Sequence, residues 1–254
     1  MIALILTGVG ASIIGSVVGL GGGFITVPVL RLGFHYAPGA AAAASLVLVF
    51  ANSVSASVRF AMQKRIAFDL AVPIAIAAIP GSVIGALLSA RTTGQTYDVL
   101  YAIFLSAIAI DVLRRTFQKR PAIENETPVL PTPEPAWWIF SIVGFVVGLV
   151  SSLFGIGGGV IVVPILLYTT KKDLHIITAT STAVIAMTAP VGIVVQGFEH
   201  DLAWNSALAL GGGGLIGGQI GAILSQRISS VQLTILLAMA MMAAAGAMVL
   251  KHLF

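Results

Sequence analysis

Eight apolar blocks, each long enough to cross a lipid bilayer, occupy most of this chain. They read at Ile2–Leu32, Pro38–Met62, Phe68–Ala90, Thr96–Leu113, Ala136–Tyr168, Ile176–Phe198, Leu202–Ser225 and Val231–Leu250. Roughly 18 or more apolar residues span a hydrocarbon core about 30 Å thick. Inside lipid a continuous apolar segment has to satisfy its own backbone groups, which a helix does. Charge agrees: 9% of residues are Asp, Glu, Lys or Arg, against about 25% in soluble domains. That deficit excludes a disordered chain and argues against a soluble domain. The fold class read from the sequence is an all-α polytopic membrane protein.

The chemistry open to such a chain is narrow. There is no cysteine, and His35, His175, His200 and His252 lie far apart without metal-ligand spacing. No metal, cofactor or nucleophile–base pair is therefore expected, which argues against an intramembrane enzyme. No Gly-x-x-x-x-Gly-Lys loop is present, so ATP-driven pumping by this chain is not expected. The net charge of +4 maps to segments between blocks, where the placement rule for Lys and Arg accounts for it without nucleic acid. No basic residue precedes Ile2, so a cleaved secretory signal is a poor reading.

The chain divides into two similar halves. Residues 117–135 hold five of the eleven prolines and read as a polar linker between a first repeat, 1–116, and a second, 136–254. A shift of 136 aligns Gly19-Leu20-Gly21-Gly22-Gly23 and Pro28 with Gly155-Ile156-Gly157-Gly158-Gly159 and Pro164. The same register pairs Ser45 with Ser181, and Gly81, Gly85, Ser89 and Arg91 with Gly217, Gly221, Ser225 and Arg227.

Block length and charge suggest how the halves are oriented. Ile2–Leu32 as straight helix would measure about 46 Å, too long for one crossing and too short for two. The central glycines predict two short legs, a broken or re-entrant helix, in each half. Each half then has four to five helical segments and an odd number of crossings, and the repeats are inverted. That arrangement puts Lys64, Arg65, Arg114, Arg115, Lys119, Arg120, Lys171, Lys172 and Arg227 inside, and Arg31, Arg91 and Lys251 outside. Nine against three fits the positive-inside rule better than the seven-to-five split of a parallel eight-crossing arrangement.

Inverted repeats with interrupted helices are a recurring transporter plan, with the site near the midplane. A break exposes amides at a new helix N-terminus, where the dipole adds partial positive charge and glycine lets an anion approach. Gly19, Gly21, Gly22 and Gly23 with Gly155, Gly157, Gly158 and Gly159 are the candidate site, converging on one anion from opposite sides. Ser45 and Asn52, two helical turns apart, and their counterparts Ser181 and Thr188, are candidates to complete its hydrogen bonds. The competing reading is helix capping or bridging. Small-residue pairs such as Gly15/Gly19, Gly81/Gly85, Gly144/Gly148 and Gly217/Gly221 read as close helix packing. A dinucleotide loop is rejected, since no soluble strand–helix unit accompanies the Gly-x-Gly.

Among ionisable residues, Arg59 reads as snorkelling to the interface and Asp111 as pairing with Arg115 at helical spacing. Asp69, and Asn205 in the second half, read as helix N-caps. No chain of buried acids suggests a proton relay.

On the paired glycine motifs with Pro28 and Pro164, the Ala44-Ser45 and Thr180-Ser181 steps and the glycine pairs Gly81/Gly85 and Gly217/Gly221, the chain resembles the TauE/SafE sulfite exporter family over nearly its whole length. The resemblance implies a secondary permease for a small sulfur-containing oxyanion such as sulfite, a sulfonate or thiosulfate. It also implies that the glycine motifs line the translocation site. An anion channel and a non-transporting membrane scaffold are the alternatives. The expected partners are the anionic substrate and the bilayer; a homo-oligomer stays open.

Overall fold

The computed structural model describes residues 1–92, 94–117, 137–170, 172–199, 203–225, 227–228 and 230–250. The linker from 118 to 135, Lys119, Arg120, Lys171, His200, Lys251 and His252 lie outside them, as does the side chain of Arg115 expected to meet Asp111. Among the described residues there are ten α-helices and no strand.

Helix α1 covers Ile2–Val18 and α2 covers Gly23–Pro28, continuing into a π-helical turn at Val29–Gly33. Pro28 has no amide to give to the turn before it, and the wider turn begins at the next residue. Then follow α3 (Pro38–Met62), α4 (Phe68–Arg91) and α5 (Gly94–Phe117). The second half runs α6 (Trp137–Phe154), α7 (Gly159–Thr169), α8 (Leu174–Glu199), α9 (Trp204–Leu224) and α10 (Ser230–Leu250). The starts of α2, α3, α4 and α5 fall 136 residues before those of α7, α8, α9 and α10. Helices α3, α4, α8 and α9 are each long and apolar enough to cross a membrane.

Packing ties each half to the other. Helix α1 lies along α9 and runs the same way: the Ile5 and Val9 backbone meets Gly213, Ser12 meets Gly217 and Ser16 meets Gly221. Helix α6 lies along α4 in the same manner, with Gly144 on Ile74 and Gly148 on Ala78. A carbon added at Gly221 would stand 2.6 Å from the Ile13 carbonyl oxygen, so no larger side chain fits between these backbones. The pairs Gly81/Gly85, Gly144/Gly148 and Gly217/Gly221 pack helices; in Gly15/Gly19 the first turns inward against Gly22 and the second is the left-handed end of α1.

Between these pairs α3 and α8 cross. Leu46 meets Gly192, while Ala56 clusters with Ala179 further along α3, so the two helices run in opposite directions. Both are largely buried, whereas Ile76, Ile84, Leu208 and Ile216 on α4 and α9 are exposed, as lipid-facing residues are. The core therefore sits at the α3–α8 crossing, with the two helix breaks against it.

Two capping assignments change. Helices α4 and α9 start on Ala67 and Ala203, which precede Asp69 and Asn205 by two residues. The Ala67 amide donates to the Thr180 hydroxyl (3.0 Å). Asp69 stands inside the first turn, where its charge complements the helix dipole, with the Lys172 ammonium 3.8 Å away.

Candidate functional site

Each break is a glycine structure because the backbone turns left-handed three times in four residues. Gly19, Gly21 and Gly22 have φ of 81, 80 and 88°, and Gly155, Gly157 and Gly158 have 69, 95 and 77°. An L-residue loses roughly 1–2 kcal/mol at each such position. Helix α1 closes with the Leu20 and Gly21 amides donating back to the Gly15 carbonyl (2.8 and 3.3 Å). The Gly22 carbonyl then accepts the first amides of α2, from Ile25 and Thr26 (both 3.2 Å). Gly158 does the same for Ile161 and Val162 (3.0 and 3.1 Å). The amides of Gly23 and Phe24, and of Gly159 and Val160, precede those first bonds and have no partner within their own helix.

The two breaks touch one another. A carbon added at Gly23 would lie 2.8 Å from the Ile156 Cα, and one added at Gly159 would lie 2.8 Å from the Leu20 Cα. Gly21 and Gly157 both face Val49 and Ile185, the repeat-related pair at the helix crossing. In this conformation the breaks press together, backbone on backbone, with no open gap between them.

The polar residues singled out above divide into two groups. Ser45 donates to the Gly155 carbonyl (2.7 Å) and Ser181 to the Gly19 carbonyl (2.9 Å), so each half caps the break of the other. Thr188 donates to the Val184 carbonyl of its own helix (3.0 Å). Asn52 differs: its Oδ1 accepts the Ser16 hydroxyl (2.6 Å), while its Nδ2 is buried without a partner. Arg59 sits half-buried near the end of α3, its Nε also without a partner.

Helix α5 adds groups that sequence reasoning missed. Tyr97 donates to the Phe154 carbonyl (2.9 Å), just before the second break, and Tyr101 to the Phe24 carbonyl (3.2 Å), just after the first. One turn of one helix thus holds both breaks, with Phe154 edge-on to both tyrosine rings. Beside them Asp98 takes Arg31 from the π-helical turn, Nε to Oδ1 at 2.8 Å and Nη2 to Oδ2 at 2.6 Å. The Tyr36 carbonyl accepts from the same guanidinium at 2.7 Å and that of Gly94 at 3.3 Å. The charge count puts Arg31 on the outer side; the structure buries it, because a partnered guanidinium needs no water. The available signal was Asp98 itself, an acid inside an apolar block.

The opposite face carries a looser set. Arg65 spans from the His175 carbonyl (3.0 Å) to the Phe60 ring (5.0 Å), and burial lowers its pKa. The Asp173 carboxylate is held below its usual range by the His175 amide and ring. Lys64, Arg65, Lys172 and Arg227 lie in the connections on this face. A separate cavity of about 470 Å³ between the π-helical turn and Ala243, Ala244 and Ala247 of α10 is apolar and suits no anion. No group of three potential metal ligands occurs among the described residues.

The chain is similar to proteins named as membrane transporters. The family model described as "Sulfite exporter TauE/SafE" matches residues 4–248. The chain is 27% identical to the probable membrane transporter protein YunE of Bacillus subtilis, over 90% of both chains. It is 29% identical to a probable membrane transporter protein of Methanocaldococcus jannaschii, over 92% of this chain and 90% of the relative. A probable membrane transporter protein of Xylella fastidiosa is also 29% identical, over 90% and 87%. No solved structure gives a significant match.

Proposed function

Because the chain belongs to the sulfite exporter TauE/SafE family of membrane transporters, we propose that it is a multi-pass permease of the cell (inner) membrane, not an enzyme, that carries a small sulfur-containing oxyanion by alternating access. The observation that carries this reading is the contact of the two glycine breaks at the α3–α8 crossing, each break capped by a serine of the other half. A carrier needs two related halves that can part on either side of a central site. The opposed directions of α3 and α8 support inverted repeats, with three full crossings and one re-entrant pair in each half. The positive-inside rule then puts the face of Lys64, Arg65, Lys172 and Arg227 in the cytoplasm, with Arg31 and Asp98 toward the outside.

Sulfur oxyanions are small and rich in acceptors, and glycine amides with hydroxyl donors suit them without a buried cation. The test is flux into liposomes holding the purified chain, screened with sulfite, sulfate, thiosulfate and short sulfonates, with and without a pH gradient. A carrier saturates and shows counter-exchange. Non-saturating flux without counter-exchange would make it a channel, and no flux of any of these anions would sink the reading.

A further inference from the structure

Three buried groups beside the first break can give a hydrogen bond and have no partner: the hydroxyls of Ser12 and Ser53 and the amide nitrogen of Asn52. All three residues are fully out of solvent. They come from two helices that flank the break. Ser12 on α1 has its backbone nitrogen 3.3 Å from the point where Gly22 would carry a carbon, and its side chain lies along Gly217 of α9, beside the Gly218 that the Asn52 side chain meets. Ser53 on α3 abuts Gly21, with its Oγ 3.4 Å from the corresponding point. Asn52, next to Ser53, is oriented by Ser16: its oxygen is engaged at 2.6 Å, which leaves the NH₂ as the free end. Native proteins rarely leave such groups unsatisfied in the interior, and a cluster of them calls for an occupant.

The second half is built otherwise. The positions that match Ser12, Asn52 and Ser53 are Gly148, Thr188 and Ala189. Two of these have no polar side chain, and the third gives its proton to its own helix. At these three positions the second half offers no free side-chain donor.

We infer that Ser12, Asn52 and Ser53 form an oxyanion-binding site that lies in the first half, off the repeat axis. This rests on the transport reading above and sharpens it: the substrate is held by neutral donors of one repeat, and the second break is a backbone counterpart. The free NH₂ of Asn52 selects acceptors, so the class of ligand is a small oxyanion and not a metal cation. Arg31 is committed to Asp98.

The test titrates purified full-length chain in detergent with sulfite and with thiosulfate by calorimetry. Asn52→Asp is nearly isosteric and keeps the acceptor for Ser16, but it replaces the donor with negative charge. Binding should fall at least about a hundredfold in Asn52→Asp and about tenfold in Asn52→Ala and in Ser53→Ala, with one hydrogen bond to an anion lost in each alanine variant. Ser82→Ala and Ser89→Ala remove other buried, unpartnered hydroxyls on α4 and should change binding less than about twofold. Thermal melts establish that each variant is folded, and Ser53→Ala decides the matter should Asn52→Asp fail to fold. Binding that survives Asn52→Asp, or equal losses in the two α4 variants, overturns the site while leaving the transport reading intact. Wild-type protein that binds neither anion overturns the site, while the transport reading stands or falls on the liposome flux.

Discussion

Arg31 and Asp98, 67 residues apart, meet as a two-pronged ion pair whose side chains are 8% and 0% exposed. The pair joins the π-helical turn after the first break to the helix whose tyrosines hold both breaks. The second half has Leu167 and Thr234 at the matching positions, so the link is built once. Removing one partner from such a pair strands a buried charge and costs about 3–5 kcal/mol, more than removing both. Arg31→Leu and Asp98→Thr alone should each lower the melting temperature of the detergent-solubilised protein sharply. The double substitution, which copies the second half, should be milder than either. A double variant no better than the worse single one would show that the pair is not the coupled unit described.

The breaks should tolerate alanine unequally. At Gly22 an added carbon meets the Ala11 carbonyl oxygen at 2.6 Å, part of a rigid helix. At Gly158 it meets the end of the Val147 side chain at 2.7 Å, which can rotate. Both substitutions carry the left-handed cost of roughly 1–2 kcal/mol, and Gly22→Ala should be the more damaging in stability and in liposome flux. Gly212→Ala, with nothing within 4 Å of the new carbon, is the matched control and should leave both unchanged.

The cross-caps make a symmetrical prediction. Ser45→Ala leaves the Gly155 carbonyl without its hydroxyl donor, and Ser181→Ala does the same for Gly19. Each should cost about 1–3 kcal/mol. Melting temperatures of the two single variants should fall by similar amounts, since the geometry is the same within 0.2 Å (2.7 against 2.9 Å). A large inequality would mean that one of the two caps does not form.

A pH dependence follows from Asp173, whose carboxylate accepts the His175 amide at the start of α8 (2.7 Å). Its folded pKa lies below the ordinary value, so its contribution is present above the unfolded pKa and fades as pH falls through the folded one. Asp173→Ala should cost about 1 kcal/mol at pH 7. The gap between wild type and variant should then shrink below about pH 4. A gap that stays constant down to pH 3 would assign the effect to packing.

Several elements were legible because their causes are local. The helical blocks follow from apolar length, and the breaks from three glycines that alone adopt left-handed backbone at little cost. The glycine pairs Gly81/Gly85 and Gly217/Gly221 were readable as contact stripes, since small residues four apart line one helix face. The cap expected at Asp69 falls two residues earlier, because the Ala67 amide donates to the Thr180 hydroxyl of the other half. Ser45 and Ser181 were legible as polar residues at the right depth, but not as caps for each other's half.

Sequence alone determined that this chain folds as membrane-length helices interrupted at residues 19–23 and 155–159. Those features need only the solvent, the backbone and the absence of side chains on glycine. Which helix meets which was decided by the tertiary structure. A glycine stripe on an apolar helix marks a contact face but does not say which neighbour fills it, so α1 could not be matched to α9, nor Arg31 to Asp98, until close packing brought together residues far apart in the chain. The capping of each break by the opposite half arises from that same long-range packing.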